Sequence, residues 1–261
     1  MSIEVRSDWW KTLFDEIYLL TDSRSVCDED LTGREVDVIC GILPMDTRMA
    51  LLDLCGGQGR HSIELASRGF TGCTVLDYSR FLIERGRAMA SEMGRPIRFL
   101  QGDARETGLP SESFDCVIIM GNSLGYLPRP EDDLGILAES MRLLKPGSRV
   151  LVDTADGEQV REEMSPVAWH EVDETVVVCR RREIAENAVS ARELVLCKDR
   201  GLLRDQTYRI RLFDGDMLVR LLSDAGFSAV QLYRNFTPHD TKGDYGFMDR
   251  RIVAVGIKPD A

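Results

Sequence analysis

The chain has 261 residues, 43% of them hydrophobic, which is enough for one large α/β domain with an insertion around a substantial core. Lys and Arg number 33 against 44 Asp and Glu, a formal net charge of −11 that repels nucleic acid and anionic membranes and disfavours RNA as a partner. Seven scattered cysteines without paired ligand spacing read as free thiols of a reducing cytoplasm; apolar runs too short for a bilayer, and an N-terminus with Trp9 and Trp10 among charges, exclude a membrane span or signal peptide, so a cytoplasmic protein without a metal is expected.

In chain order, residues 7–20 read as a helix with Ser7 as cap, residues 21–32 as polar and irregular, and 33–43 as a second helix stopped by Pro44. Alternation follows: strand 49–54, helix 60–68, strand 71–76, helix 79–93, strand 97–100, strand 114–120, helix 130–144 and strand 148–153. This predicts a Rossmann-like, doubly wound, mostly parallel sheet with ligands bound beyond the carboxyl ends of its strands. Residues 167–172, 174–184, 188–198 and 205–213 alternate apolar and charged and read as an antiparallel β insertion. Asp214 caps a helix over 215–225 closed by Gly226, and strands 228–234 and 249–257 complete a seven-stranded sheet with a C-terminal antiparallel hairpin. The expected organisation is an N-terminal helical lid (1–43), a core (44–153 and 214–261) and a β-rich insertion (154–213) serving the substrate side or oligomer contacts.

The stretch from Met49 to Ala66 carries the chemistry: an apolar strand ending at Asp53, a turn Gly56-Gly57-Gln58-Gly59, and a helix beginning near Ser62. Bare main chain at a helix start accepts a nucleotide-sized ligand closely. Ser62 stands where the third glycine of a dinucleotide fingerprint belongs, and Asp53 suits a cationic or amino-bearing ligand rather than a phosphate. Asp77, 18 residues beyond Gly59, has the strand-end position and spacing of a ribose-binding acid, or it closes a helix start with Ser79. Tyr78 packs on a base or stands as a loop aromatic.

Asp53 to Gly59 resembles the D-x-G-x-G-x-G signature of class I S-adenosylmethionine-dependent methyltransferases, with Cys55 in the first glycine position, as in relatives of the D-L-C-C-G-x-G-R-H-S type. The resemblance runs from about Trp9 to Lys258 and is densest over 49–147. It implies S-adenosylmethionine as cofactor and S-adenosylhomocysteine as product. Cys55, Gly56, Gly57 and Gly59 would form the cofactor turn, and Asp103, between Gly102 and Ala104, would take the adenine amino group or close an Asx-turn. Met120-Gly121-Asn122-Ser123 resembles the G-N-S segment of the small-molecule, glycine N-methyltransferase-like branch. Met120 and Gly121 would then bracket the amino-acid end of the cofactor, Asn122 and Tyr126 would serve catalysis at the acceptor pocket, and Asn122-Ser123 could also cap a short helix. Tyr18 and Arg24 would reach the cofactor's sulfonium and carboxylate from the N-terminal region.

Methyl transfer is an in-line displacement that depends on positioning. An amine acceptor can lose its proton on entering an apolar pocket, whereas a hydroxyl requires a base. The sequence nominates no firm base: His61 follows the turn, and His170 and His239 lie in the insertion and a late loop. The expected partner is a small-molecule amine, and the acids at Glu158, Glu162, Glu163, Glu171, Asp173 and Glu174 could recognise a cationic acceptor. A monomer or homodimer is expected. The alternatives are a protein or RNA methyltransferase of the same fold, a nicotinamide-dependent oxidoreductase, and a non-catalytic cofactor-binding subunit.

Overall fold

The computed structural model describes residues 2–237 and 250–260; the loop containing His239 lies outside the described residues. A 3-10 turn over Trp9–Lys11 precedes helices α1 (Glu16–Thr21), α2 (Ser23–Val26) and α3 (Glu29–Ile42). The single helix expected over 7–20 is therefore broken. Asp15 restarts it, its carboxylate accepting from the amides of Ile17 at 2.9 Å and Tyr18 at 3.2 Å. Asp28 likewise caps α3 through the Leu31 amide at 2.8 Å, so the helix begins four residues earlier than its apolar spacing suggests.

The core then alternates: β1 (Ala50–Leu54), α4 (Arg60–Ser67), β2 (Gly72–Asp77), α5 (Arg80–Glu92), β3 (Arg98–Gln101), β4 (Phe114–Ile119), α6 (Pro130–Leu143) and β5 (Leu144–Ala155). Pro146 and Gly147 lie within β5 rather than in a turn before it, because the chain passes from α6 directly into pairing with β4 at Leu144. Next come α7 (Gly157–Glu163), β6 (Val167–Glu171), β7 (Val176–Ala185), β8 (Ala188–Cys197), β9 (Gly201–Arg211), α8 (Gly215–Asp224), β10 (Ser228–Phe236) and β11 (Arg251–Ile257). Helix α7 has no apolar periodicity to announce it; the Asp156 side chain starts it by accepting from the Glu158 amide. Asp214 sits at the N-cap of α8 without capping it and pairs with Arg161 instead.

Seven strands form one sheet in the order β10-β11-β5-β4-β1-β2-β3, parallel except where β11 pairs antiparallel with β5 and β10. One face is packed by Leu52, Leu54, Val117 and Ile119 with residues of α6 and α8; the other by Leu51 and Ile118 with Val36 and Ile39 of α3. Such two-sided burial supplies the main stabilisation of a parallel sheet. Chain order reverses between β1 and β4, which opens a crevice at their carboxyl ends. The strands β6-β7-β8-β9 form a separate antiparallel sheet. Both ends of this excursion return to one place, where the Gly157 amide donates to the Phe213 carbonyl at 3.0 Å. Among the described residues no helix is long and apolar enough to cross a membrane.

Candidate active site

Two connected chambers occupy the crevice above β1 and β4, sharing Phe14, Tyr18, Cys55, Gly57, Ser123 and Tyr126 in their walls. The first extends past Asp53, Arg60 and Asn122 to the inner face of the β6–β9 sheet; the second runs along Asp77, Tyr78, Asp103 and Ala104. The glycine turn thus lies at their junction, with the N-terminal segment across the top.

Within the turn, Cys55 holds a left-handed backbone with φ 60°, so a thiol fills a position that ordinarily suits glycine. Gly59, with φ 72°, does not line either chamber. A side chain there would meet Phe99 at 2.8 Å and Val75 at 2.9 Å, so this glycine lets the turn sit down on the sheet. Gly56, Gly57 and Gln58 face the first chamber, and the Gln58 amide donates to the Val26 carbonyl at 2.7 Å, tying the turn to the N-terminal segment.

Asp77 accepts from the Gly57 amide at 2.8 Å with one oxygen and from the Ser79 amide with the other. It fixes the helix start and also lines the second chamber; burial raises its pKa against these hydrogen bonds. Asp53 is fully buried; Ser62 Oγ donates to its Oδ2 at 3.0 Å, while its Oδ1 has no hydrogen-bond partner. Burial pushes this carboxyl up to about 7.

Other expected residues fall less simply. Asp103 and Ala104 line the second chamber, but Arg105 grips both carboxylate oxygens of Asp103, at 3.0 and 2.6 Å, and lowers its pKa. Gly102 lines neither chamber. Tyr78 is 40% exposed and meets Trp10 edge-on, with ring centres 4.6 Å apart; Trp10 is itself a wall of the second chamber. Asn122 is buried with φ 60°, and its Oδ1 accepts from the Ala155 amide at 2.9 Å, leaving only its NH2 for the first chamber. Tyr126 and Tyr18 are both chamber walls whose hydroxyls burial holds well above their ordinary pKa. Met120 and Gly121 line the first chamber as expected.

Arg24 lines neither chamber. The arginine at this end of the first chamber is Arg60, from the helix start itself, paired with Glu35 and donating to Thr32 Oγ1 at 2.9 Å. Behind it lies a buried network that sequence reading missed. Glu35 accepts from Arg60, contacts His61 Nε2 at 2.9 Å and pairs with Arg251 at 2.5 Å. Arg251 also meets Asp153 at 3.0 Å, and Asp153 accepts from the Gly121 amide at 2.8 Å. Burial alone would raise Glu35, but Arg251 and Arg60 outweigh it and hold the carboxyl well below its usual range. Burial and Arg60 push His61 down to about 4, so its imidazole is neutral. No local pattern announces Glu35 or Arg251, which stands at the head of β11 just before its apolar run.

His170 and the acids near the insertion's start do not meet the site. His170 Nε2 contacts the Thr21 carbonyl at 3.3 Å, and Glu158, Glu162, Glu163, Glu171, Asp173 and Glu174 line neither chamber. The acids on the insertion side of the first chamber are Glu193 and Asp22 instead.

Residues 51–147 match a methyltransferase domain family. YqeM of Bacillus subtilis, named as a methyltransferase, is 28% identical over 72% of this chain and 76% of its own length. A glycine/sarcosine N-methyltransferase of Aphanothece halophytica is 29% identical over 75% of this chain and 73% of its own. Other curated relatives align over about half their length. Among solved structures, the sugar N-methyltransferase KedS8 of Streptoalloteichus has the same fold, with a TM-score of 0.72 at 19% identity over 100% of this chain and 99% of that one. The strand order, the glycine turn with its strand-end acids and these likenesses are those of the class I S-adenosylmethionine-dependent methyltransferases, which the chain resembles in fold and in its methyltransferase domain.

Proposed function

We propose that the protein methylates a nitrogen of a small-molecule acceptor. The observation that carries this reading is the state of His61: it is the one histidine among the described chamber residues, burial and Arg60 push it down to about 4, which makes it a weak base, and its Nε2 is committed to Glu35. A hydroxyl acceptor needs a base at the moment of transfer. An amine that loses its proton on desolvation needs none. The sugar and glycine/sarcosine N-methyltransferases to which the chain is similar support nitrogen as well.

The residues present fit the cofactor. Asp77 would take the ribose hydroxyls; Tyr78, Trp10 and Ala104 would flank the base, with the spare acceptor capacity of Asp103 beside its amino group. Arg60 rather than Arg24 would hold the carboxylate, and the unpartnered Oδ1 of Asp53 would receive the ammonium. When bound, S-adenosylmethionine supplies a methyl group activated on a sulfonium. Tyr18, Tyr126 and the Asn122 amide line the passage from the glycine turn to the insertion, where they would orient the acceptor and exclude water. The N-terminal segment and the β6–β9 sheet would act as the lid.

The test is label transfer from S-adenosylmethionine to a panel of amines and the matching alcohols. Label on amines supports the reading; label on alcohols alone contradicts it.

A further inference from the structure

The insertion gives the first chamber a wall of unusual charge. Strand alternation puts Val176, Val178, Arg180 and Arg182 of β7 on one face, the face that is apolar at its start and cationic at its end. Arg204 of β9 joins them, and all three arginines line the first chamber. The side chains of Arg180 and Arg204 are 11% and 6% exposed, and Arg182 is buried. A chain of net charge −11 has thus enclosed three guanidiniums in one wall. A guanidinium keeps its charge on burial, so each needs an oxyanion.

Among the described residues, the carboxylates that meet Arg180 and Arg204 leave one guanidinium donor without a hydrogen bond. Glu193 stands opposite Arg180 across the β7–β8 ladder and accepts from its Nε at 2.7 Å. The same carboxylate lies 3.7 Å from Arg204 Nη1, too far for a hydrogen bond, and that nitrogen is buried without a partner. Asp22 meets Arg180 at 3.1 Å, and Asp15, itself 43% exposed, pairs with Arg204. One carboxylate on the sheet is therefore shared between two guanidiniums, and a donor of Arg204 is left over.

Building on the methyl-transfer reading, we infer that the acceptor carries an oxyanion, a carboxylate or a phosphate, received by Arg204 and Arg182. Planar guanidiniums bind both groups with paired hydrogen bonds. Such an anchor would fix a small acceptor in the chamber opposite Phe14, Tyr18 and Tyr126, and would reject uncharged analogues, which leave the arginine donor buried and unpaired.

Two measurements test this. The first uses protein loaded with S-adenosylhomocysteine and follows arginine Nε–H resonances during titration with acetate and with inorganic phosphate. Saturable shifts of Arg182 and Arg204 with either anion, absent in Arg204→Gln, are expected; no saturable shift with either overturns the inference. The second compares label transfer to 3-aminopropanoate against 3-aminopropanamide, and to 3-aminopropyl phosphate against 3-aminopropanol. At least a tenfold preference in kcat/KM for the charged member of one pair is expected, and that pair tells carboxylate from phosphate. Arg204→Gln and Arg182→Gln should erase the preference through KM, Arg204→Lys should restore part of it, and the Kd for S-adenosylmethionine should stay within twofold. If these arginines only latch the N-terminal segment through Asp15 and Asp22, that Kd rises and no preference exists, which overturns the inference. Equal or better use of the uncharged members overturns it too, and leaves methyl transfer standing. If none of the four compounds is methylated, the anion titration decides. Failure to bind S-adenosylmethionine at all brings down the methyl-transfer reading itself.

Discussion

Arg251 and Glu35 lie 216 residues apart in sequence, yet their side chains meet at 2.5 Å with no exposure to solvent. The pair joins the last core strand to a helix of the N-terminal region, and its neighbours reach the cofactor turn through Arg60 and the Gly121 amide through Asp153. Breaking a buried pair by removing one partner strands the other charge. Arg251→Met should therefore destabilise the fold by about 3–5 kcal/mol in urea unfolding. The double variant Arg251→Met/Glu35→Gln should lose less than the sum of the single losses. A loss under about 1 kcal/mol for the single variant would show that the network contributes little.

With Asp53 receiving the ammonium as proposed, cofactor binding should depend on pH. Its carboxyl titrates near 7 because burial disfavours the charged form, with Ser62 and Arg60 opposing. A bound ammonium favours the charged form, so binding below pH 7 expels a proton. Affinity should rise with pH, by up to about tenfold per unit, and level off above pH 7. Calorimetry in buffers of different ionisation enthalpy measures the released proton directly. Asp53→Asn should flatten the profile; a slope unchanged in that variant would assign the proton elsewhere.

Asp77 holds the Gly57 and Ser79 amides as well as facing the second chamber. Asp77→Ala should weaken S-adenosylmethionine binding by at least roughly tenfold, since a ribose contact and the shape of the turn are lost together. An unchanged dissociation constant would remove Asp77 from the site.

What the sequence disclosed and what it concealed follow from the range of the forces involved. The glycine turn, Asp53, Asp77 and the strand–helix alternation are local patterns, and they lie where their spacing implies. The N-terminal helix was misread because Asp15 and Asp28, which restart and lengthen the helices there, act through single capping bonds that leave no periodicity. The place of Arg60 is not legible locally, because nothing in the chain before folding says that Thr32 and Glu35 will turn it toward the crevice. The arginines of β7 were legible: two charges continuing the inward row begun by Val176 and Val178 contradict an ordinary buried face.

Asn122 separates support from chemistry. Its oxygen is spent on the Ala155 amide and its backbone is left-handed, so Asn122→Ala loses a buried hydrogen bond and adds strain. Stability should fall by about 2 kcal/mol. Asn122→Gly, which relieves the strain, should recover about half of that. Turnover in Asn122→Ala should fall roughly tenfold with little change in cofactor affinity. Equal losses of both would make Asn122 a structural cap only.

The central claim is that the crevice above β1 and β4 is built for a sulfonium-bearing nucleoside. Titration calorimetry with S-adenosylmethionine, alongside NAD under the same conditions, tests it most directly. Saturable binding of one S-adenosylmethionine per chain in the micromolar range, weakened by Asp77→Ala, with no heat from NAD, is the predicted result. Micromolar binding of NAD with none for S-adenosylmethionine would contradict it.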